Sequence, residues 1–142
     1  MKKILLAFAI ATASLATLSS CTKEYITLTS RTYDPTIEST KWSRVSGATN
    51  LYSTTLDFPE INGRIVDDGN VQVSLRFTGA NGKLLSSYNT IPATINGIHY
   101  SHEIDAGVLI IYAEILRNTG DLDIDHLIQA KVIISESEYA GN

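Results

Sequence analysis

The chain is poor in cysteine. Its 142 residues hold one, Cys21, and none follows it. No disulfide framework and no cysteine-based zinc site can form in the remainder, so packing has to supply the stability. Long apolar runs are also missing. The longest, Ile4 to Ala13, is about half of the roughly 20 residues a membrane-spanning helix needs. Basic clusters are absent: eleven Lys and Arg are scattered against fifteen Asp and Glu, which excludes the charge pattern nucleic acid requires. There is no G-x-S-x-G elbow, no internal repeat and no low-complexity tract. Gly79-Ala80-Asn81-Gly82-Lys83 lacks the spacing of a phosphate loop, and Leu84 stands where a Mg²⁺-binding hydroxyl would be. These absences leave no catalytic signature, and no catalytic, cofactor-binding or metal-ligating residue is assigned.

The N-terminus does carry a pattern. Lys2 and Lys3 precede the apolar stretch Ile4 to Ala13, and Leu18-Ser19-Ser20 runs directly into Cys21. A basic start and a short apolar core are the parts of a secretory leader. Ending on Leu-Ser-Ser-Cys, this one resembles a lipoprotein signal. The resemblance implies that residues 1–20 are removed and that Cys21 is acylated. It also implies that residues 21–24 form a tether at the outer membrane, on its periplasmic or cell-surface side. Each buried CH₂ of the acyl chains is worth about 0.8 kcal/mol, so several chains anchor a protein durably. Without Lys2 and Lys3, nine basic residues face fifteen acidic ones, a formal net charge of −6, which favours solubility; a monomer is expected.

The remainder reads as short strands. Tyr25 to Tyr33 alternates apolar with polar residues until Asp34-Pro35 interrupts it. Trp42 to Val45 and Leu51 to Phe58 follow. Asn70 to Phe77 is the cleanest: Val71, Val73, Leu75 and Phe77 on one side, Gln72, Ser74 and Arg76 on the other. Lys83 to Tyr88 and Ile91 to Ile95 are weaker. Asn96-Gly97 marks a turn, and Asp105-Ala106-Gly107 joins Ile98–Ile104 to Val108–Leu116, with Gly107 suited to positive φ. Val108–Leu116 is apolar on both registers. Ala130 to Ile134 is the last strand. Pro59 and Glu60, with Ile61, Ile65 and Val66 on one side and Gly69 as a stop, predict a short helical turn near residues 60–67. Seven or eight strands with turns between them predict an all-β fold. The expected form is an antiparallel sandwich, immunoglobulin-like in general architecture, over residues 25–136, with a tail at 137–142.

The order Trp42, Leu51-Tyr52, Phe58-Pro59-Glu60-Ile61, Ile65 to Gly69, Val71-Gln72-Val73, Ile91-Pro92, Asp105-Ala106-Gly107 and Lys131 to Ile134 resembles a set of small Bacteroidota lipoprotein domains, some of which follow collagen-like stalks. The resemblance implies a lipid-anchored β-sandwich and carries over no site residue. Here no stalk is present, and Gln129-Ala130 stands where a Phe-Arg pair often begins the last strand.

Three groups of residues could still carry a site. His99 and His102 sit three apart on a strand, so they point to opposite faces and cannot share a metal; both are expected as exposed polar positions of the hairpin. Asp121, Asp123 and Asp125 alternate as in a Ca²⁺ loop. His126 and Val132, however, stand where an EF-hand needs Gly and Glu. Tyr33, Trp42, Tyr52, Tyr88, Tyr100 and Tyr112 could stack sugars if they lined one face; Trp42 and Tyr112 are expected in the core. The leading expectation is a non-enzymatic, lipid-anchored structural or interaction domain of the cell envelope. The alternative is a glycan- or ligand-binding surface lipoprotein.

Overall fold

The computed structural model describes residues 29–79, 81–116 and 127–136. Within them the chain forms two antiparallel sheets packed face to face. Ten strands occur: β1 (Ser30–Tyr33), β2 (Thr36–Ile37), β3 (Ser43–Arg44), β4 (Leu51–Phe58), β5 (Asn70–Thr78), β6 (Asn89–Thr90), β7 (Ala93–Ile95), β8 (Ile98–Asp105), β9 (Gly107–Ile115) and β10 (Leu127–Ser135). A helix, α1 (Gly63–Asp68), links β4 to β5. One sheet has the order β1-β10-β5-β6, with β2 continuing β1 along β10; the other has the order β3-β4-β9-β8-β7. The count exceeds the seven or eight expected because very short edge strands carry too little pattern to read.

The chain changes sheet four times, and local chemistry shapes several of the turns along it. Pro35 separates β1 from β2, while the register against β10 continues unbroken from Ser30↔Ser135 to Ile37↔Ile128. Proline lacks a donor and is tolerated because this strand is an edge. After β4, Asn62 caps α1 by accepting the amide of Ile65 at 3.1 Å, a standard N-cap role for asparagine. The helix therefore starts three residues later than Pro59 and Glu60 suggest, and those two lie in the preceding turn. Gly69 ends it for a steric reason. Its φ of −85° is ordinary, but a Cβ there would sit 2.7 Å from the Ile65 carbonyl oxygen. Gly107 has a φ of +84° and Asn96-Gly97 has φ values of 52° and 82°, so both hairpins turn where the sequence places them.

Residues 83–88 are not the expected strand; only an isolated bridge joins Leu84 to Thr78. Ser86 explains part of this, since its Oγ accepts the Phe77 amide at 3.1 Å and replaces a ladder partner.

The core lies between the sheets. Val73, Leu75, Leu109, Ile111, Ala113, Ile128, Ala130 and Val132 are fully buried, and Ile61 and Ile65 from the α1 segment close one end. Of the two apolar registers of β9, Leu109, Ile111 and Ala113 face inward. Tyr112 therefore points outward with Val108 and Ile110, half-buried among neighbouring strands, contrary to the expectation that it fills the core. At the other end of the core, Tyr100 packs between Phe77, with centroids 5.5 Å apart, and Trp42, at 6.4 Å.

Candidate functional site

Cys21 and the acidic stretch Asp121–His126 lie outside the described residues. The chain enters the sandwich at β1, on an edge and antiparallel to β10.

The two histidines separate as strand alternation requires. His99 lies opposite Glu114 on the outer face, with Nδ1 3.2 Å from Thr94 Oγ1. His102 lies opposite Ile111 on the inner face, half-buried rather than on the exposed hairpin surface expected of it. Its Nδ1 is buried with no hydrogen-bond partner among the described residues. Burial holds His102 below the ordinary imidazole range, and a hydrogen bond to the Val71 backbone partly opposes that shift. A depressed folded pKa means that the unfolded chain takes up the proton first. Stability is therefore full above about pH 6.5, the unfolded value, and is lost as pH falls toward the lower folded value. Urea midpoints at pH 7.5 and 5.5 are expected to fall less in His102→Gln than in wild type, and an equal fall would remove His102 as the cause.

The aromatic residues do not form a row. Tyr33 packs inward on Phe58, ring centroids 5.5 Å apart. Trp42 packs against the core, and Tyr52 and Tyr100 are buried in it. Tyr112 faces out on one sheet and donates to Glu103 at 2.9 Å, a bond that raises its pKa, with burial adding to the shift. Tyr88 belongs to the opposite sheet's outer face. A six-ring sugar platform is thus divided among the core and two opposed surfaces.

The glycine loop is closed on itself. Gly79 donates to the Lys83 carbonyl, Gly82 to the Gly79 carbonyl, and Lys83 to Asn81 Oδ1. Those amides are spent internally and form no phosphate cradle. Asp67 and Asp68 fall in the last turn of α1, and Asp57 projects from the outer face of β4.

One cluster escaped the sequence reading. On the outer face of the β5–β10 sheet, Arg76 Nε donates to Gln129 Oε1 at 3.1 Å and Nη2 bonds the same oxygen. The Arg76 guanidinium carbon sits 4.6 Å from the centre of the Tyr88 ring, and Lys131 Nζ sits 4.3 Å from it. Arg76 and Gln129 are cross-strand partners, and Lys131 is diagonal to them. Each cation–ring contact contributes about 0.5–1 kcal/mol at an exposed site. The alternation of β5 shows that Arg76 faces out; only the sheet order brings Lys131 and Tyr88 to it.

Hollows open beside the core at two places among the described residues. One, of about 200 Å³, lies between Phe77, Ile95, Ile98 and Tyr100, beside the exposed Leu85. The other, of about 290 Å³, runs between Thr36–Glu38 with Lys41 and the Thr54–Asp57 stretch of β4. Among the described residues no group of three or more His, Cys, Asp or Glu converges as a metal site would, and no helix is long and apolar enough to cross a membrane.

No known family model, curated protein or solved structure matches this chain.

Proposed function

We propose that the protein is a lipid-anchored, non-enzymatic interaction domain of the cell envelope, held at the outer membrane through Cys21. The anchoring half of this reading rests on the leader pattern Lys2-Lys3, Ile4 to Ala13 and Leu18-Ser19-Ser20-Cys21. Eight residues, 22–29, separate Cys21 from β1, a length whose fully extended reach is about 28 Å. That is enough to hold the sandwich clear of a headgroup layer.

The interaction half rests on one observation: two sets of aromatic and charged side chains lie on the outer sheet faces. Arg76, Tyr88, Gln129 and Lys131 share one face, while Tyr112 and Glu103 share the other. Flat surfaces with fixed cations and aromatic rings suit macromolecular partners, in whose interfaces arginine and tyrosine are enriched.

Mass spectrometry of the membrane-extracted protein is expected to show an N-terminal Cys21 carrying two or three acyl chains. Cys21→Ser is expected to leave the membrane fraction. If Cys21→Ser still sediments fully with membranes, the anchor is elsewhere.

A further inference from the structure

β4 is paired along only one edge for most of its length. β9 pairs with all of Leu51–Phe58, whereas β3 reaches only Tyr52 and Ser53. The ladder shows which main-chain groups are left over. Ile115 donates to the Asn50 carbonyl, which places the even-numbered residues of β4 in bonding position toward β9; Val45 donates to Leu51, which turns the odd-numbered ones toward β3. Past Ser53 there is no β3. The N–H and C=O of Thr55 and of Asp57 therefore point out of the sheet edge, and none of these four groups is bonded among the described residues.

Such an edge is a template for another strand. Here it does not face open solvent alone. It forms one wall of the 290 Å³ hollow whose other wall is Thr36–Glu38 and Lys41. Ile37 is buried at that wall, and Leu56 is half-buried on the inner side of β4. A strand laid here would turn alternate side chains toward Ile37 and Leu56 and the others toward the outer face. On that face Asp57 shares a row with Val108 and Asp105, and Glu103 lies in the next row. Glu38 rims the hollow, with Lys41 as its one cation.

We propose that this edge binds an extended peptide segment of a partner protein by antiparallel strand addition. The segment would place apolar side chains over Leu56 and a lysine or arginine beside Asp57. Two residues of the segment, opposite Thr55 and Asp57, satisfy all four main-chain groups, and the apolar and basic positions supply the selectivity. Charge decides against an acidic partner. Size decides against a second copy, because an edge of about five residues falls far short of the roughly 1,000 Å² a stable interface buries. This inference deepens the interaction half of the proposed function and is independent of the anchor: acylation of Cys21 and peptide binding are separate measurements and can fail separately.

The test uses the full chain in detergent micelles and a fluorescent, end-blocked peptide, Lys-Val-Lys-Val-Thr-Val-Lys. Binding is expected by polarisation, with slowed amide exchange at Thr55 and Asp57. N-methylating the two peptide residues that face those positions should abolish it. Thr55→Pro deletes an N–H that the β9 ladder does not use, a position where an edge strand accepts proline. It should weaken binding about tenfold, one net hydrogen bond at its upper range. Asp57→Lys, at an exposed position, should weaken this peptide and strengthen one with Glu replacing the Lys that faces residue 57. This arm decides the matter if Thr55→Pro does not fold. No binding, equal binding of the N-methylated peptide, unchanged affinity in the variants, or protection of Thr55 and Asp57 by dimerisation without peptide would each overturn the proposal.

Discussion

Val73→Asp is expected to cost roughly 3–5 kcal/mol, the usual penalty for an uncompensated buried charge. Val73 has no exposed surface; it lies at the centre of β5, opposite Val132, among Leu75, Leu109 and Ile111. A carboxylate there has neither a charged partner nor a path to water. Total stabilities of single domains are commonly 5–15 kcal/mol, so a large share goes with one residue. The adjacent Gln72 faces the opposite way and is exposed. Gln72→Asp should cost under about 0.5 kcal/mol, as surface changes usually do. Urea melts of both variants measure the contrast. Similar midpoint losses would mean that β5 is not buried on one face, which would contradict the packing of the two sheets.

Tyr100→Ala is expected to cost about 3–5 kcal/mol, the range for deleting a large buried ring. Tyr100 is 2 % exposed and is held between Phe77 and Trp42. Its contact with Phe77 joins β8 of one sheet to β5 of the other. Tyr100→Phe keeps the ring and should cost far less. The hydroxyl has its own signature. Burial pushes the Tyr100 phenol up to about 12, against about 10 for an unfolded tyrosine. A raised folded pKa makes this contribution complete below pH 10. It is then lost as pH rises toward 12, because the unfolded chain gives up the proton first. An absorbance titration of the seven tyrosines should show a step near pH 12, beyond the smaller rise at Tyr112, and Tyr100→Phe should remove that step. A late step that persists in Tyr100→Phe would assign it to another tyrosine.

Strand alternation made much of the fold legible. Val71, Val73, Leu75 and Phe77 all face the core as their spacing predicts, and Val132 and Ile134 join them. Where pattern was thin, it failed for identifiable reasons. Residues 83–88 have strand-forming composition, yet Ser86 takes the Phe77 amide and the segment leaves the ladder. Pro59 and Glu60 look like a helix start, but Asn62 is the better cap and moves the start to Gly63. Tyr112 looked like core because β9 is apolar on both sides. Its orientation follows from which register meets the opposite sheet, and a single strand does not contain that information.

The sequence by itself determined the fold class, the buried face of β5, the hairpin turns at Asn96-Gly97 and Gly107, and the impossibility of a shared metal between His99 and His102. These depend on local rules: side-chain alternation, positive φ and capping, all set by neighbours in the chain. Tertiary structure decided the rest. The sheet order brought Tyr88 and Lys131 to Arg76 across three strands. The shortness of β3 left Thr55 and Asp57 unpaired beside a hollow whose other wall comes from β2. Neither arrangement has a local signature. Each depends on which strands become neighbours, and long-range packing of apolar faces selects among the many orders that strands with the same alternation could adopt.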